Sequence, residues 1–418
     1  MLNAPLDNLY FCGDIEVLRQ FAENMPKEFV LSDGNNSKKV IADIAASKND
    51  ISKTLLKNYS NSLQKAVESV FGSNEYDDKY FNIQQQLIAN VNRFAAHKAY
   101  LVTQSVKRQV ADADGVERSQ TDFYKYAQKV LNTANRYQAA EYHAAIARSR
   151  TAKQWQEFGE DTEIENLKWL PSRSADPREA HKKFYGLVLP KNHPFWQHNQ
   201  PGNLWNCKCD WEETFENTSK KMPPVVPAAK GLDGNPFETG KIFSDNASYF
   251  KAANKQNESI ANANKQYKQH LQNIKDYVKY DVETYQHDGF NNNGGYLVTE
   301  RNRITQAERN KQEKKKFDKE HDMCETLRAN GYAVEYFAEK SGSYDIRING
   351  IAADLKKTAS HNNIVDYAKK AVRKQGAEIV VFEFEKMTNK IHEELNKLKK
   401  TGIKVLYFTT NNKEVIAL

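Results

Sequence analysis

Asp345, Asp354 and Lys356 are the residues of this chain whose types and spacing most directly allow chemistry. They lie in a stretch, residues 343–356, where Asn349-Gly350 separates two alternating runs. Asn-Gly in that setting is the strongest short-range signal for a two-residue type I′ hairpin, since both turn residues need positive φ. The turn fixes the register. Ile348 then faces Ile351, Ile346 faces Ala353 and Tyr344 faces Leu355, which makes one side of the ribbon apolar. The other side sets Asp345 against Asp354, with Lys356 two residues further along. Directly opposed Cβ atoms are roughly 5 Å apart, so two carboxylates there repel. A hard divalent cation relieves the repulsion: Mg²⁺ takes oxygen ligands and binds through one or two carboxylates plus substrate phosphate. Zn²⁺ is the second choice of ion. Lys356 would stand beside a metal-bound water or the scissile phosphate, where it could orient the nucleophile, aid its deprotonation or offset developing charge. The alternative is a solvated cluster in which Arg347 and Lys356 simply neutralise the two aspartates.

The elements around the hairpin support a site. Glu320, Met323, Cys324 and Leu327 fall at helical spacing before Asn330-Gly331, a helix end with a C-terminal glycine. Patterning then predicts a strand at 332–337, the hairpin, a helix at 363–375, a buried-type strand at 379–384, a helix at 390–400 and a last strand at 403–408. That order is an α/β sandwich with a central sheet. Asp followed nine positions later by Asp-x-Lys resembles the PD-(D/E)xK nucleases, with Tyr344 where the name has proline. Glu320 stands where that core's first helix usually offers an extra acidic partner for the metal.

From about residue 316 to the end the chain resembles the C-terminal tRNA-nuclease toxin domain of contact-dependent inhibition (CdiA-type) proteins. The residues that carry the likeness are Glu320, Asn330-Gly331, the Asp345 hairpin, Ala353-Asp354-Leu355-Lys356, Ser360-His361-Asn362-Asn363-Ile364, and the run from Tyr367 to Glu378. The resemblance implies a nuclease that cuts tRNA, with Asp345, Asp354, Lys356 and Glu320 as catalytic groups and a cognate immunity protein as partner. Lys357, His361, Lys369, Arg373 and Gln375 suit phosphate contacts and substrate positioning. A metal-free route remains open at the same place. Toxin RNases of the barnase, EndoU, colicin E5 and RelE types use the RNA 2′-OH as nucleophile, and Lys356, Thr358, His361 and Arg373 could serve such a mechanism without any cofactor.

At 418 residues the chain is long enough for two or three domains. Residues 1–75 are polar and weakly patterned, with a loop expected at 33–37. Helical periodicity predicts long helices at 81–109 and 121–158, the second long enough to suggest a helical hairpin or packing on partner subunits. Beyond these come Asp176-x-Arg178-x-x-His181, His193-Pro194-Phe195-Trp196 and Cys207-Lys208-Cys209. With these signatures, 76–213 resembles the phage Mu F-like minor head (head morphogenesis) domain, Lys208 replacing its usual arginine. The resemblance implies a virion structural protein partnered by portal and capsid proteins. His181, Cys207 and Cys209 either form a zinc site or belong to a loop stapled by hydrogen bonds from Asp176, Arg178 and His181; the Cys-x-Cys spacing alone does not decide. Residues 214–309 read as a linker or pretoxin tether, with a helix at 246–275 and a turn-rich break at 291–296, and 310–418 as the toxin.

The fold class expected is therefore α + α/β: a mostly helical head domain, a linker, and an α/β nuclease domain with a PD-(D/E)xK-like central sheet. The net charge of +7 resides entirely from Arg301 onward, which suits a nucleic-acid substrate for the C-terminal part. Four cysteines without a regular framework argue for a reducing compartment. Neither a signal-peptide pattern nor a stretch approaching 20 apolar residues is present. The expected locations are the virion interior or portal and the bacterial cytoplasm, with no membrane partner.

Overall fold

The computed structural model describes residues 34–48, 50–72, 76, 78–174, 177, 179–253 and 256–418. It forms two units, Met1–Lys268 and Gln269–Leu418. In the first unit, α1 (Gly34–Ala46), α2 (Lys53–Phe71), α3 (Phe81–Lys107) and α4 (Gln120–Glu160) share one core. The loop expected at 33–37 is already helical from Gly34, because Val40, Ile41 and Ile44 bury into that core. Ser52 and Ser119 begin α2 and α4 by accepting the backbone N–H of Leu55 and Asp122. For α4, 41 residues long, a helical hairpin or packing on partner subunits was expected; its Leu131, Ala134 and Ala145 pack with α2 and α3 of the same chain.

A small antiparallel sheet follows, with β1 (Asn166–Leu170) between β2 (Val188–Pro190) and β3 (Asp210–Thr214). Trp169, Trp196, Trp211, Phe184 and Phe195 fill its core.

The expected tether at 214–309 divides between the units. Arg148 on α4, fully buried, donates to the carbonyls of Ile242 (2.7 Å), Leu232 (2.7 Å) and Gly234 (2.8 Å), clamping that segment to the helices. Phe243 stacks on Phe94 with ring centroids 3.8 Å apart. The helix expected at 246–275 is broken into Ser248–Ala252 and α5 (Glu258–Tyr277), and the division between units falls within α5.

The second unit is an eight-stranded mixed sheet in the order β11-β10-β9-β8-β7-β6-β5-β4. Its elements run β4 (Tyr285–Phe290), β5 (Tyr296–Glu300), α6 (Arg301–Ala307), α7 (Lys311–Ala329), β6 (Ala333–Tyr336), β7 (Ile346–Ile348), β8 (Ile351–Thr358), α8 (Ile364–Gln375), β9 (Ile379–Phe384), α9 (Asn389–Lys399), β10 (Lys404–Thr409) and β11 (Ile416–Ala417). From α7 to β10 this is the expected order. The sheet nonetheless begins upstream of residue 310: Tyr296, Leu297, Val298 and Thr299 are buried, and β5 pairs in parallel with β6. A short apolar run beside a Gly-rich turn gave little periodicity to read, yet it is an inner strand. β9 is buried at every position, as a strand between two parallel neighbours should be. One face of the sheet packs on α7 through Met323, Cys324 and Leu327, the other on α8 and α9 through Ile364, Ala368, Ile391 and Leu395.

Candidate active site

The hairpin forms in the expected register. Asn349 and Gly350 both have positive φ, 51° and 78°, and Ile348 pairs with Ile351 and Ile346 with Ala353. Ile346, Ile348, Ala353 and Leu355 face α7. Pairing then stops. Tyr344 does not join Leu355; it packs with the cluster on the opposite face of the sheet. In place of a further ladder rung, Asp345 Oδ2 accepts the backbone N–H of Leu355 at 3.0 Å, which holds its carboxylate beside Asp354. The parallel register of β8 and β9 sets Asp354 beside Val380 and Lys356 beside Phe382, on the side of α8 and α9.

The electrostatics are unbalanced. Asp354 is 0% exposed and neither of its oxygens has a hydrogen-bond partner, although the Lys356 ammonium is ion-paired to Oδ2. Burial, then the neighbouring Asp354 charge, pushes the Asp345 carboxyl up to about 7; the Leu355 N–H and Lys356 oppose the shift. Arg347 does not help. Its guanidinium binds Tyr344 Oη at 3.0 Å and lies 3.7 Å from Glu335. Buried Asp354 and half-buried Asp345 thus share one lysine, and Arg347 is not part of the cluster.

Glu320 reaches the same pocket from α7. A cavity of about 110 Å³ is lined by Lys316, Glu320, Tyr336, Asp345 and Gln375 among others. Glu320 Oε2 accepts from Tyr336 Oη (2.6 Å) and from the buried Arg303 (3.2 Å), while Oε1 lies 3.9 Å from Lys316. Burial raises its pKa, Tyr336 opposes, and the Asp345 charge raises it further. Glu320 is therefore a fixed wall of the pocket with one oxygen already committed, a more limited metal partner than its helix position implied. Arg303 also donates to Tyr336 Oη at 3.0 Å and pairs with Glu339 at 3.0 Å. Sequence reading missed Arg303 and Tyr336. The signal available was an arginine three residues past an apolar strand, which is weak by itself.

Residues 343–415 match the family model of the contact-dependent growth inhibition CdiA C-terminal domain. The match supports a polymorphic-toxin tail, and domains of this family are typically nucleases with a cognate immunity protein. Neither the curated proteins nor the solved structures returned a match to this chain. The matched segment contains Asp345, Asp354 and Lys356; Glu320, Tyr336 and Arg303 precede it.

Within the CdiA-type segment the expected substrate residues separate. Gln375, at the end of α8, lines the pocket with Asp345. Lys369 and Arg373 are exposed four residues apart on α8, and no contact ties them to the aspartates. Lys357 points away from Lys356: it pairs at 2.7 Å with Glu383, a fully buried carboxylate that also accepts from Thr410 Oγ1 at 2.9 Å. Alternation along β8 requires this, since neighbouring residues occupy opposite faces. Thr358 is engaged locally with Ser360, and neither Thr358, His361 nor Arg373 lines the Asp345 pocket.

In the first unit, His181, Cys207 and Cys209 do converge, with ligand atoms all within 4.8 Å of one another. Asp176 and Arg178 of the same signature lie outside the described residues. Among the described residues no helix is long and apolar enough to cross a membrane.

Proposed function

We propose that the C-terminal unit is a divalent-metal-dependent nuclease of the CdiA toxin type, with tRNA as substrate, carried by a phage Mu F-like minor head region at 76–213. The observation that carries the reading is Asp354, wholly buried, without a hydrogen-bond partner and beside a second carboxylate. Its single ion pair, with Lys356, leaves a second carboxylate beside it, and two carboxylates held against one ammonium are costly unless a cation relieves them. The donor set fits a hard cation: carboxylate oxygens from Asp345 and Asp354, with Glu320 Oε1 on the wall of the same pocket as Asp345. When bound, such an ion lowers the pKa of an attacking water and offsets charge on the phosphate. Lys356 orients the nucleophile or the scissile phosphate. Glu320, its pKa raised and its orientation fixed by Tyr336 and Arg303, is placed to hold a proton or position a water. Gln375 offers an amide to the substrate, and the exposed Lys369 and Arg373 suit the phosphate backbone. A virion location, portal and capsid partners, and a blocking immunity protein complete the proposal.

The test is the full chain against total tRNA and against plasmid DNA, with Mg²⁺ or with EDTA, and with Asp354→Ala alongside. Cleaved tRNA only in the unmodified, metal-containing sample is the expected result. Full activity in EDTA overturns the metal assignment, preferential plasmid cleavage overturns the substrate, and no cleavage of either polymer points to a structural tail.

A further inference from the structure

The N-terminal unit contains a second constellation of different chemistry. His181 is 1% exposed on the short helix Glu179–Lys182, wedged between Trp169 and Phe184 with ring centroids 5.2 and 5.7 Å away. Cys207 and Cys209 approach it from the loop that leads into β3. Asn206, at φ 63°, turns that loop immediately before Cys207. Both cysteines are free thiols. Cys207 Sγ lies 3.4 Å from His181 Nδ1, and Cys209 Sγ lies 3.6 Å from the same nitrogen.

A ring nitrogen has one proton or one lone pair, so it makes one good hydrogen bond. Two sulfurs at nearly equal distance from it are not what hydrogen bonding arranges. A shared central cation arranges them so. Zn–S bonds of about 2.3 Å and Zn–N bonds of about 2.0–2.1 Å at tetrahedral angles put sulfur about 3.5 Å from nitrogen, and the observed separations bracket that value.

We propose that His181, Cys207 and Cys209 bind one Zn²⁺. Thiolate and imidazole donors select zinc over Mg²⁺, which separates this site from the oxygen-lined one in the C-terminal unit. Three protein ligands leave a fourth position, and both cysteines line a cavity of about 200 Å³ together with Asn206, Asp210, Gln154 and Arg173. Solvent or a small anionic ligand enters there. The ion ties the loop before β3 to the helix that carries His181 more firmly than two sulfur contacts to one ring nitrogen do.

Zinc content of the purified full chain, absorption after Co²⁺ replacement, and thiol reactivity together test the site. The expected result is one zinc per chain, a thiolate-to-cobalt charge-transfer band, and loss of both in Cys207→Ser and His181→Ala. Asp354→Ala should retain both, so failure of the nuclease proposal and failure of this one are distinguishable. Should the variants not fold, the unmodified chain still decides: reaction of Cys207 and Cys209 with a thiol reagent should be slowed at least about 10-fold by zinc and restored by a chelator. A chain that holds no zinc after reconstitution, gives no cobalt band and shows the same thiol reactivity with and without zinc overturns the proposal, as does a Cys207–Cys209 disulfide.

Discussion

Each unit sets a lysine against a buried carboxylate, and the two pairs are built on opposite principles. In the helical unit, Lys98 and Glu141 are 0% and 1% exposed at their side chains and meet at 2.5 Å. Lys98 also donates to the Ala134 carbonyl at 3.1 Å and sits 4.5 Å from the centre of the Tyr59 ring. One charge answers one charge. In the sheet unit Lys356 pairs with Asp354, but Asp345 lies beside them, and both Asp354 oxygens lack hydrogen bonds. Balanced burial is what a structural ion pair requires; an excess of negative charge at a pocket is what a cation site requires.

The sharpest way to break this comparison is to neutralise one carboxylate in each pair. Asp354→Asn should reduce nuclease turnover by a factor on the order of 10³ or more, because it removes a ligand and the partner of Lys356. Glu141→Gln should leave specific nuclease activity unchanged but destabilise the helical unit by about 3–5 kcal/mol, since Lys98 is left charged and buried. Thermal unfolding followed alongside RNA cleavage reads both effects. Loss of nuclease activity in Glu141→Gln without unfolding would erase the distinction.

Asp345→Asn sharpens the contrast by reversing the usual sign. The Asp345 carboxyl is raised from 3.8 to about 7, so the folded state holds a proton that the unfolded chain has released. Its contribution to stability is therefore fully present below about 4 and is lost as pH rises to about 7. The asparagine variant should flatten that part of the pH–stability curve and melt above the parent at pH 7.5, by about 2–4 °C for each kcal/mol relieved. Activity should vanish. Mg²⁺ should raise the melting temperature of the parent more at pH 8 than at pH 6, since the ion needs ionised Asp345.

Much of this site was legible in the chain. Asn349-Gly350 dictates positive φ at two consecutive positions, so the register from Ile348–Ile351 to Ile346–Ala353 followed from local sterics, while the last step, Asp345 beside Asp354, is made by the Leu355 N–H and not by a ladder rung. The strands at 379–384 and 404–409 were likewise plain, because buried parallel strands are uninterrupted apolar runs. What could not be read was anything set by long-range packing. The turn of Tyr344 to the opposite face depends on where the β7–β8 ladder ends. The commitment of Glu320 to Arg303, 17 residues before it, depends on β5 joining the sheet just upstream of that arginine. Lys357 shows a different limit: adjacent lysines look equivalent in a string, but a strand sends them to opposite faces.

The smallest predicted effect tests whether the packing-derived residues matter to the chemistry. Tyr336 donates to Glu320 Oε2 at 2.6 Å and accepts from Arg303 Nε at 3.0 Å, so its hydroxyl links the buried guanidinium to the pocket wall. Tyr336→Phe keeps the ring that stacks on Phe317 with centroids 5.6 Å apart, and so preserves the core contact. Only the hydrogen bonds are lost. Since that bond holds the Glu320 pKa down against burial and the Asp345 charge, the variant's Glu320 should titrate still higher. If Glu320 acts in its ionised form, the alkaline limb of the rate profile is retained while the acid limb moves to higher pH. The cost at neutral pH should be roughly 10-fold, about 1.4 kcal/mol, in line with one hydrogen bond to a charged group. An unchanged pH–rate profile would show that Glu320 supports the fold and takes no part in the reaction.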